Sequence, residues 1–267
     1  MTIIDQPQRD RWGRYLIGGK GGGAPKPYTR VTTISGSLDD QTTLTNWKLR
    51  TLLTGIARQP DLAQEHANPR DADQAVRNAL KAGGAHDAAD LGTAIHEATA
   101  QRDTHQPWDP TWNDHVKLYR DTLKTARITT RPEWVEKVCV HDMFEVAGTF
   151  DRIVTLADGR NIIADIKTGR SLDHSWRNIA IQLAAYAHAN DMWNPTLGVR
   201  ADMPTIDRTQ GLVIHLATDA SHCTLHVVDL VKGWEGFLLA MKVHNWRKRS
   251  EEHTSELQSR QYLVCRL

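Results

Sequence analysis

Four short segments carry residues whose types and spacing suit the hydrolysis of a phosphodiester. They are Gly92-Thr93-Ala94-Ile95-His96, Gly148-Thr149-Phe150-Asp151, Asp165-Ile166-Lys167 and Gln182-Leu183-Ala184-Ala185-Tyr186. Each has an ordinary structural reading. Asp-x-Lys on a strand is usually a solvent-facing pair, a lone helical His is usually structural, and Gln and Tyr at i,i+4 usually share a helix surface. Taken in this order, they supply hard metal ligands, a cation beside them and a polar helix face. Attack of water on a phosphodiester needs a divalent ion to carry developing negative charge and to activate water.

The donors must share one side of a sheet. Asp158-Gly159 marks a turn between two strands, and loop length decides which side chains share a face. A two-residue loop sets Asp151 opposite Ile166, away from Asp165. A three-residue loop, Ala157-Asp158-Gly159, sets Asp151 opposite Asp165, with Gly in the left-handed position such a loop needs. The second register gathers Asp151, Asp165 and Lys167 on one face. It leaves Phe150, Val154, Leu156, Ile162, Ala164 and Ile166 mostly on the other, where Arg152 is the exception and could reach past a strand edge. Two bare carboxylates side by side repel, and a divalent cation removes that conflict. Mg²⁺ prefers carboxylate and carbonyl oxygens, and Mn²⁺ also accepts imidazole. Asp151, Asp165, the backbone carbonyl of Ile166 and His96 form the expected ligand set. Gly92, one turn before His96, lets the helix approach the sheet. Lys167 can hold the attacking water or help deprotonate it, and can stabilise the pentavalent charge.

Hydrophobic periodicity supplies the elements that position these groups. Helices are predicted over residues 71–101 with a break at Gly83-Gly84, the second starting near Asp87 or Asp90. Another covers 111–127, with Trp112, Val116, Tyr119 and Leu123 at helical spacing. Strands are predicted over 133–140, 146–156 and 161–167, then a helix over 176–191, strands over 211–217 and 223–229, and a helix over 233–247. Upstream, Thr45 could cap a helix carrying Trp47, Leu49, Leu52, Leu53 and Ile56. The order is α/β with a mixed sheet. Residues 1–30 read as a flexible glycine-rich lead-in. Gly18-Gly19-Lys20 is no phosphate loop, because neither Ser nor Thr follows the lysine. His96-Glu97 does not continue as a zinc-protease helix, because position 100 is Ala. His215, His222 and His226 lack finger spacing and read as structural or surface residues.

The chain has 267 residues, enough for one large domain, with 40% hydrophobic and 24% charged residues. A net charge of +1 confines any nucleic-acid contact to a local patch. Arg170 and Arg177, close to the Asp-x-Lys strand, are the candidate phosphate contacts, and Trp176 between them reads first as packing, though it could stack on an unpaired base. The N-terminus lacks the basic flank and apolar core of a secretory signal, and no apolar run approaches a membrane span, so a cytoplasmic protein is expected. Arg249-Ser250-Glu251-Glu252-His253-Thr254-Ser255-Glu256-Leu257-Gln258-Ser259 resembles the conceptual translation of a sequencing-adapter oligonucleotide. Residues 249–267 are therefore read as a non-native adapter-derived tail and 31–248 as the single functional domain.

Gly-Thr-x-x-His, Gly-x-x-Asp, Asp-x-Lys and Gln-x-x-x-Tyr, in this order, resemble the RecB-type branch of the PD-(D/E)XK nucleases. Within it the likeness is to phage exonucleases related to the CRISPR-adaptation nucleases. It covers about residues 86–193 by motif and extends to 248 by element order. Pro27-Tyr28-Thr29-Arg30-Val31-Thr32-Thr33-Ile34, with Leu44 and Trp47, is similar to their N-terminal region. The resemblance implies a restriction-endonuclease-like core, a central mixed β-sheet flanked by helices, plus an N-terminal helical segment. It makes His96, Asp151 and Asp165 metal ligands, Lys167 the catalytic lysine, and Gln182 and Tyr186 a helix motif that contacts DNA and supports the site. Glu136 lies on the preceding strand, where some members carry another acid. The implied activity is Mg²⁺- or Mn²⁺-dependent exonuclease cleavage of DNA, at ends or on single strands, in phage or bacterial recombination and repair. A phage recombination protein is the implied partner and the bacterial host cytoplasm the implied location. Three dispersed cysteines, Cys139, Cys223 and Cys265, argue against the iron–sulfur cluster that some relatives hold.

Overall fold

The computed structural model describes residues 7–21, 23–64, 68–169, 172, 175–194 and 199–264. Its centre is a mixed sheet. The strands are β1 (Tyr15–Ile17), β2 (Lys26–Arg30), β3 (Thr129–His141), β4 (Val146–Thr155), β5 (Asn161–Thr168), β6 (Asp191–Asn194), β7 (Val199–Asp202), β8 (Gln210–Leu216) and β9 (Cys223–Asp229). The main path runs β7-β6-β3-β4-β5-β8-β9. β5 and β8 are parallel, joined by a connection that contains helix α6 (Trp176–Ala187), as a parallel pair requires.

Helices cover both faces. α4 (Asp87–Asp103) and α5 (Asn113–Thr125) lie on one. There Ile95, Tyr119 and Leu123 pack on Val154, Ile162, Ala164, Ile166, Leu212 and Ile214. α6, a short helix α1 (Val31–Ser35) and the start of α7 (Leu230–Val264) lie on the other. Leu183, Tyr186, Val31 and Phe237 meet Phe150, Ile153, Ile163 and Val213 there. Ile162–Ile163 and Val213–Ile214 are adjacent residues split between the two cores, the period-2 alternation of a sheet buried on both sides. The result is the expected α/β class, a central mixed sheet flanked by helices.

Two further helices precede α4. α2 (Thr42–Arg58) begins three residues before Thr45, where Asp40 accepts from the Thr42 backbone N–H at 2.9 Å. Leu44, Trp47, Leu49 and Leu53 on it are exposed. α3 (Pro69–Ala82) is capped by the Asn68 side chain, which accepts from the Arg70 and Asp71 N–H groups, with Pro69 preset in the first turn.

The N-terminal expectation needs correction. Residues 15–17 and 26–30 are paired strands, not a flexible lead-in. Tyr15, Ile17 and Tyr28 are buried against Val138, Val140 and Ala147. Only the glycine-rich stretch between them connects, and Gly22 lies outside the described residues. A three-residue strand is too short to show a period. β6 and β7 are further strands beyond the sequence expectation; α6 ends at Ala187, and β6 begins at Asp191, the last residue assigned to the helix over 176–191. α7 begins at Leu230 and runs through residue 264, so the segment read as an adapter-derived tail continues its helix.

Candidate active site

The β4–β5 hairpin sets the frame. Leu156 N–H donates to the Arg160 carbonyl at 2.9 Å, closing a loop of Ala157, Asp158 and Gly159, and Gly159 has φ +87°. Arg152 pairs with Ala164, so the next rung sets Asp151 against Asp165. On the other edge of β4, Val135 pairs with Arg152 and Lys137 with Phe150, which sets Glu136 opposite Asp151. Glu136, Asp151 and Asp165 thus form one lateral row across three adjacent strands.

The edge of β4 that faces β5 is open just at this row. β2 pairs there with Val146 and Ala147, and β5 takes over only from Arg152. Gly148 to Asp151 have neither neighbour. The Asp151 carboxylate fills part of the gap, its Oδ2 accepting from the Ile166 N–H at 2.7 Å. Tyr186 fills the space at Gly148, where a Cβ would sit 2.6 Å from the ring Cε1 and 3.1 Å from Val31 Cβ. Gln182 Nε2 donates to the Tyr186 hydroxyl at 2.8 Å. These two helix residues therefore brace the strand that carries Asp151. Tyr15 adds a hydroxyl–hydroxyl hydrogen bond to Thr149 at 2.9 Å, a contact with no signal in the sequence.

α4 brings the imidazole. Gly92 packs so close to the end of β5 that a Cβ would lie 2.5 Å from Thr168 Oγ1. One turn on, His96 Nε2 lies 2.7 Å from Asp151 Oδ2, and its Nδ1 lies 3.3 Å from Glu136 Oε1. Glu136 has φ +52° and follows a register shift in β3 between Thr130 and Val135. Such an irregularity re-aims a side chain at the cost of local strain. Ligand atoms of His96, Glu136 and Asp151 all lie within 4.8 Å of one another. Next to them, Lys167 Nζ contacts Asp165 Oδ2 at 2.7 Å.

The charges are strongly interdependent. Burial pushes the Glu136 and Asp165 carboxyls up, and the Asp151 charge pushes both further. Burial also works against ionised Asp151, but the adjacent His96 and then Lys167 outweigh it and hold its carboxyl low. Burial opposes charge on His96 and Lys167 as well, yet Asp151 raises the imidazole and Asp165 raises the ammonium. Two acids resist ionising unless more positive charge arrives. Glu136 Oε1 and Asp165 Oδ2 are buried; His96 Nδ1 lies near the first and Lys167 Nζ against the second, and neither oxygen has a further hydrogen-bond partner among the described residues. Converging carboxylate and imidazole donors, in a cluster whose acids resist ionising, fit a divalent cation of the Mg²⁺ or Mn²⁺ kind.

The site is anchored from behind. Arg152 follows Asp151 in the chain, points to the opposite face and is fully buried. Its Nε contacts Asp103 Oδ2 at 2.6 Å, and its NH2 donates to Thr99 Oγ1 at 3.0 Å. The Thr99 hydroxyl in turn donates to the His96 carbonyl at 2.8 Å. Arg152 therefore does not reach past a strand edge. It ties β4 to α4, and so Asp151 to His96.

The remaining expected residues are more dispersed. Arg177 is exposed on the first turn of α6, and no contact links it to the acidic row among the described residues. Arg170 lies outside the described residues. Ile166 gives its N–H to Asp151. Trp176 is partly buried against the core, as its first reading expects. Glu136, the acid with the weakest signal, is a full member of the cluster. The β3–β4 register, added to the β4–β5 register, places it in the row.

A three-layer α/β/α fold that gathers acids from three adjacent strands, an imidazole from α4 and an ammonium from β5 has the donor set of a metal-dependent nuclease. The family model of the PD-(D/E)XK nuclease superfamily matches residues 60–201, which contain every member of the cluster. The chain belongs to the PD-(D/E)XK nuclease superfamily, whose members use divalent metals and act on DNA. No curated protein matches the chain. No helix among the described residues is long and apolar enough to cross a membrane.

Proposed function

We propose that this protein is a Mg²⁺- or Mn²⁺-dependent DNA exonuclease of the RecB-type branch, acting on ends or single strands in phage or bacterial recombination and repair. Its setting is the cytoplasm of a bacterial host, with a phage recombination protein as partner. The observation that carries the nuclease reading is the lateral row Glu136–Asp151–Asp165, flanked by His96 and Lys167. The order of the four motifs supports the branch.

His96, Asp151, Asp165 and the Ile166 carbonyl, with Glu136 beside them, are the proposed holders of the cation. When bound, the cation supplies positive charge to the scissile phosphate and acidity to water. Lys167 stays an ammonium, because Asp165 and Asp151 raise its proton affinity despite burial. It is suited to holding the attacking oxygen and offsetting charge on the phosphoryl group, rather than to acting as a base. Gln182 and Tyr186 hold β4 in place, and Arg170 and Arg177 are the proposed phosphate contacts on the approach.

The test is cleavage of linear and circular DNA with Mg²⁺, Mn²⁺ or EDTA. Loss of linear DNA from its ends, with the circle intact, is the expected result. Nicking of the circle would replace the exonuclease by an endonuclease. Lys167→Ala and Asp165→Asn are expected to abolish cleavage, and near-wild-type rates in these variants would remove the assignment.

A further inference from the structure

Beside the acidic row lies a second cluster on the same sheet face. Lys167 pairs in register with His215 on β8, and His215 pairs with Thr224 on the edge strand β9. His226, two residues on, shares that face. His222, in the turn between β8 and β9, reaches back over it. The His215 Nε2–H donates to the carbonyl of Gly169, two residues past Lys167, at 2.9 Å. The His215 ring centroid lies 5.3 Å from that of His222 and 6.3 Å from that of His226. Trp176, on the first turn of α6, lies 5.3 Å from His226. Ring planes cross at 79° for His215 with His222 and at 63° for Trp176 with His226. His215 with His222 and Trp176 with His226 meet edge to face, and His215 meets His226 at 44°, so no two of these rings stack face to face. His222 is exposed, and His226 and Trp176 are partly so.

These rings do not form a metal centre: among the described residues the only group with converging ligand atoms is His96, Glu136 and Asp151. Nor is the cluster simply core, since it runs outward from the lysine to the open edge of the sheet. Two strand spacings, about 10 Å, separate β5 from β9, the scale of one or two nucleotides.

We propose that His215, His222, His226 and Trp176 form a subsite that stacks an unpaired nucleotide next to the scissile phosphate, selecting single-stranded DNA. The inference rests on the nuclease reading of the neighbouring acids and lysine. A base within a duplex already spends both faces on its neighbours, so only an unpaired one can lie on these rings. Stacking takes any base, which gives strand selection without sequence preference. His226 and Trp176 supply ring faces. His215, whose Nε2–H is taken by Gly169, positions the row against the Lys167 strand.

The test is binding of the full chain in EDTA to a labelled oligo(dT) and to an abasic oligomer of equal length, read by fluorescence anisotropy. His226→Ala is expected to weaken oligo(dT) binding about ten-fold, the size of one lost base–aromatic stack, and to leave the abasic oligomer within about two-fold. His226→Phe, which keeps a ring, restores the affinity. Trp176→Ala follows the same pattern if it folds, and His226, on an edge strand, keeps the test open if it does not. Unchanged oligo(dT) binding by His226→Ala, or an equal loss on the abasic oligomer, overturns the subsite. Wild-type protein that cleaves no DNA in Mn²⁺ would instead remove the nuclease reading beneath it.

Discussion

Removing Asp103 should destabilise this protein more than removing its partner Arg152. The two side chains are fully buried and meet at 2.6 Å. Asp103 has other support: it accepts from the Tyr119 hydroxyl at 2.7 Å, from Thr130 Oγ1 at 3.1 Å and from Arg102 NH1 at 2.7 Å. Arg152 has far less. Besides Asp103 it keeps Thr99 and the face of Tyr119, 5.4 Å from the guanidinium, and its NH1 has no hydrogen bond among the described residues. A guanidinium cannot shed its proton to escape. Asp103→Leu therefore strands a buried charge and should cost about 3–5 kcal/mol. Arg152→Met leaves a carboxylate still held by Arg102 and two hydroxyls and should cost about 1–3 kcal/mol. The double variant should recover much of the loss, because a buried pair replaced by apolar groups of similar volume is often near neutral. Urea denaturation at neutral pH measures all three. At about 2–4 °C per kcal/mol, Asp103→Leu lowers Tm by roughly 6–20 °C. The sign with pH follows from the Asp103 carboxyl. Burial pushes it up, but Arg152 outweighs burial and holds it below its ordinary value. Its contribution is thus complete above about pH 4–5 and fades as pH falls through the lowered value. A larger loss for Arg152→Met than for Asp103→Leu, or a double variant no better than the worse single, would refute this account.

Mn²⁺ should raise Tm, by an amount equivalent to about 2.7 kcal/mol at a hundred times its dissociation constant, and Glu136→Gln should blunt that shift about as much as Asp151→Asn. A full shift in Glu136→Gln would remove Glu136 from the ligand set. Gly148→Ala drives a methyl into Tyr186 and Val31 and should cost about 1–3 kcal/mol together with most of the activity, checked by melting and by single-turnover cleavage. Tyr186→Phe loses only the bond from Gln182, about 0.5–1.5 kcal/mol in the same melts. Gly159→Ala meets no neighbour but keeps φ +87°, so it should destabilise by roughly 1 kcal/mol and leave the fold unchanged by circular dichroism.

Much of this architecture can be read from side-chain parity. Asp158-Gly159 allows two hairpin registers, and only the three-residue one puts Asp151 beside Asp165 and the apolar residues of β4 and β5 in a core. Long elements with a clear period, such as α5 with Val116, Tyr119 and Leu123, also stand out. What stays hidden has a physical reason. β1, β6 and β7 span three or four residues, no more than two alternations. The left-handed backbone at Glu136 is imposed by the bulge in β3 and leaves no mark on residue choice. Arg152 is polar in an apolar row, and its partner Asp103 lies about fifty positions away on another element, so no local pattern pairs them. Tyr15 and Thr149 meet only because β2 lies along the start of β4.

Neighbouring residues on β4 look in opposite directions, one to the reactive face and one to the interior beneath α4. A loss-of-function screen would therefore flag Thr99, Asp103 and Tyr119 as strongly as the acids, though these three never meet solvent or substrate. Growth at a lower temperature would sort the two groups. Variants of the interior lattice would recover with the fold, while those of the acids would stay inactive in a correctly folded chain.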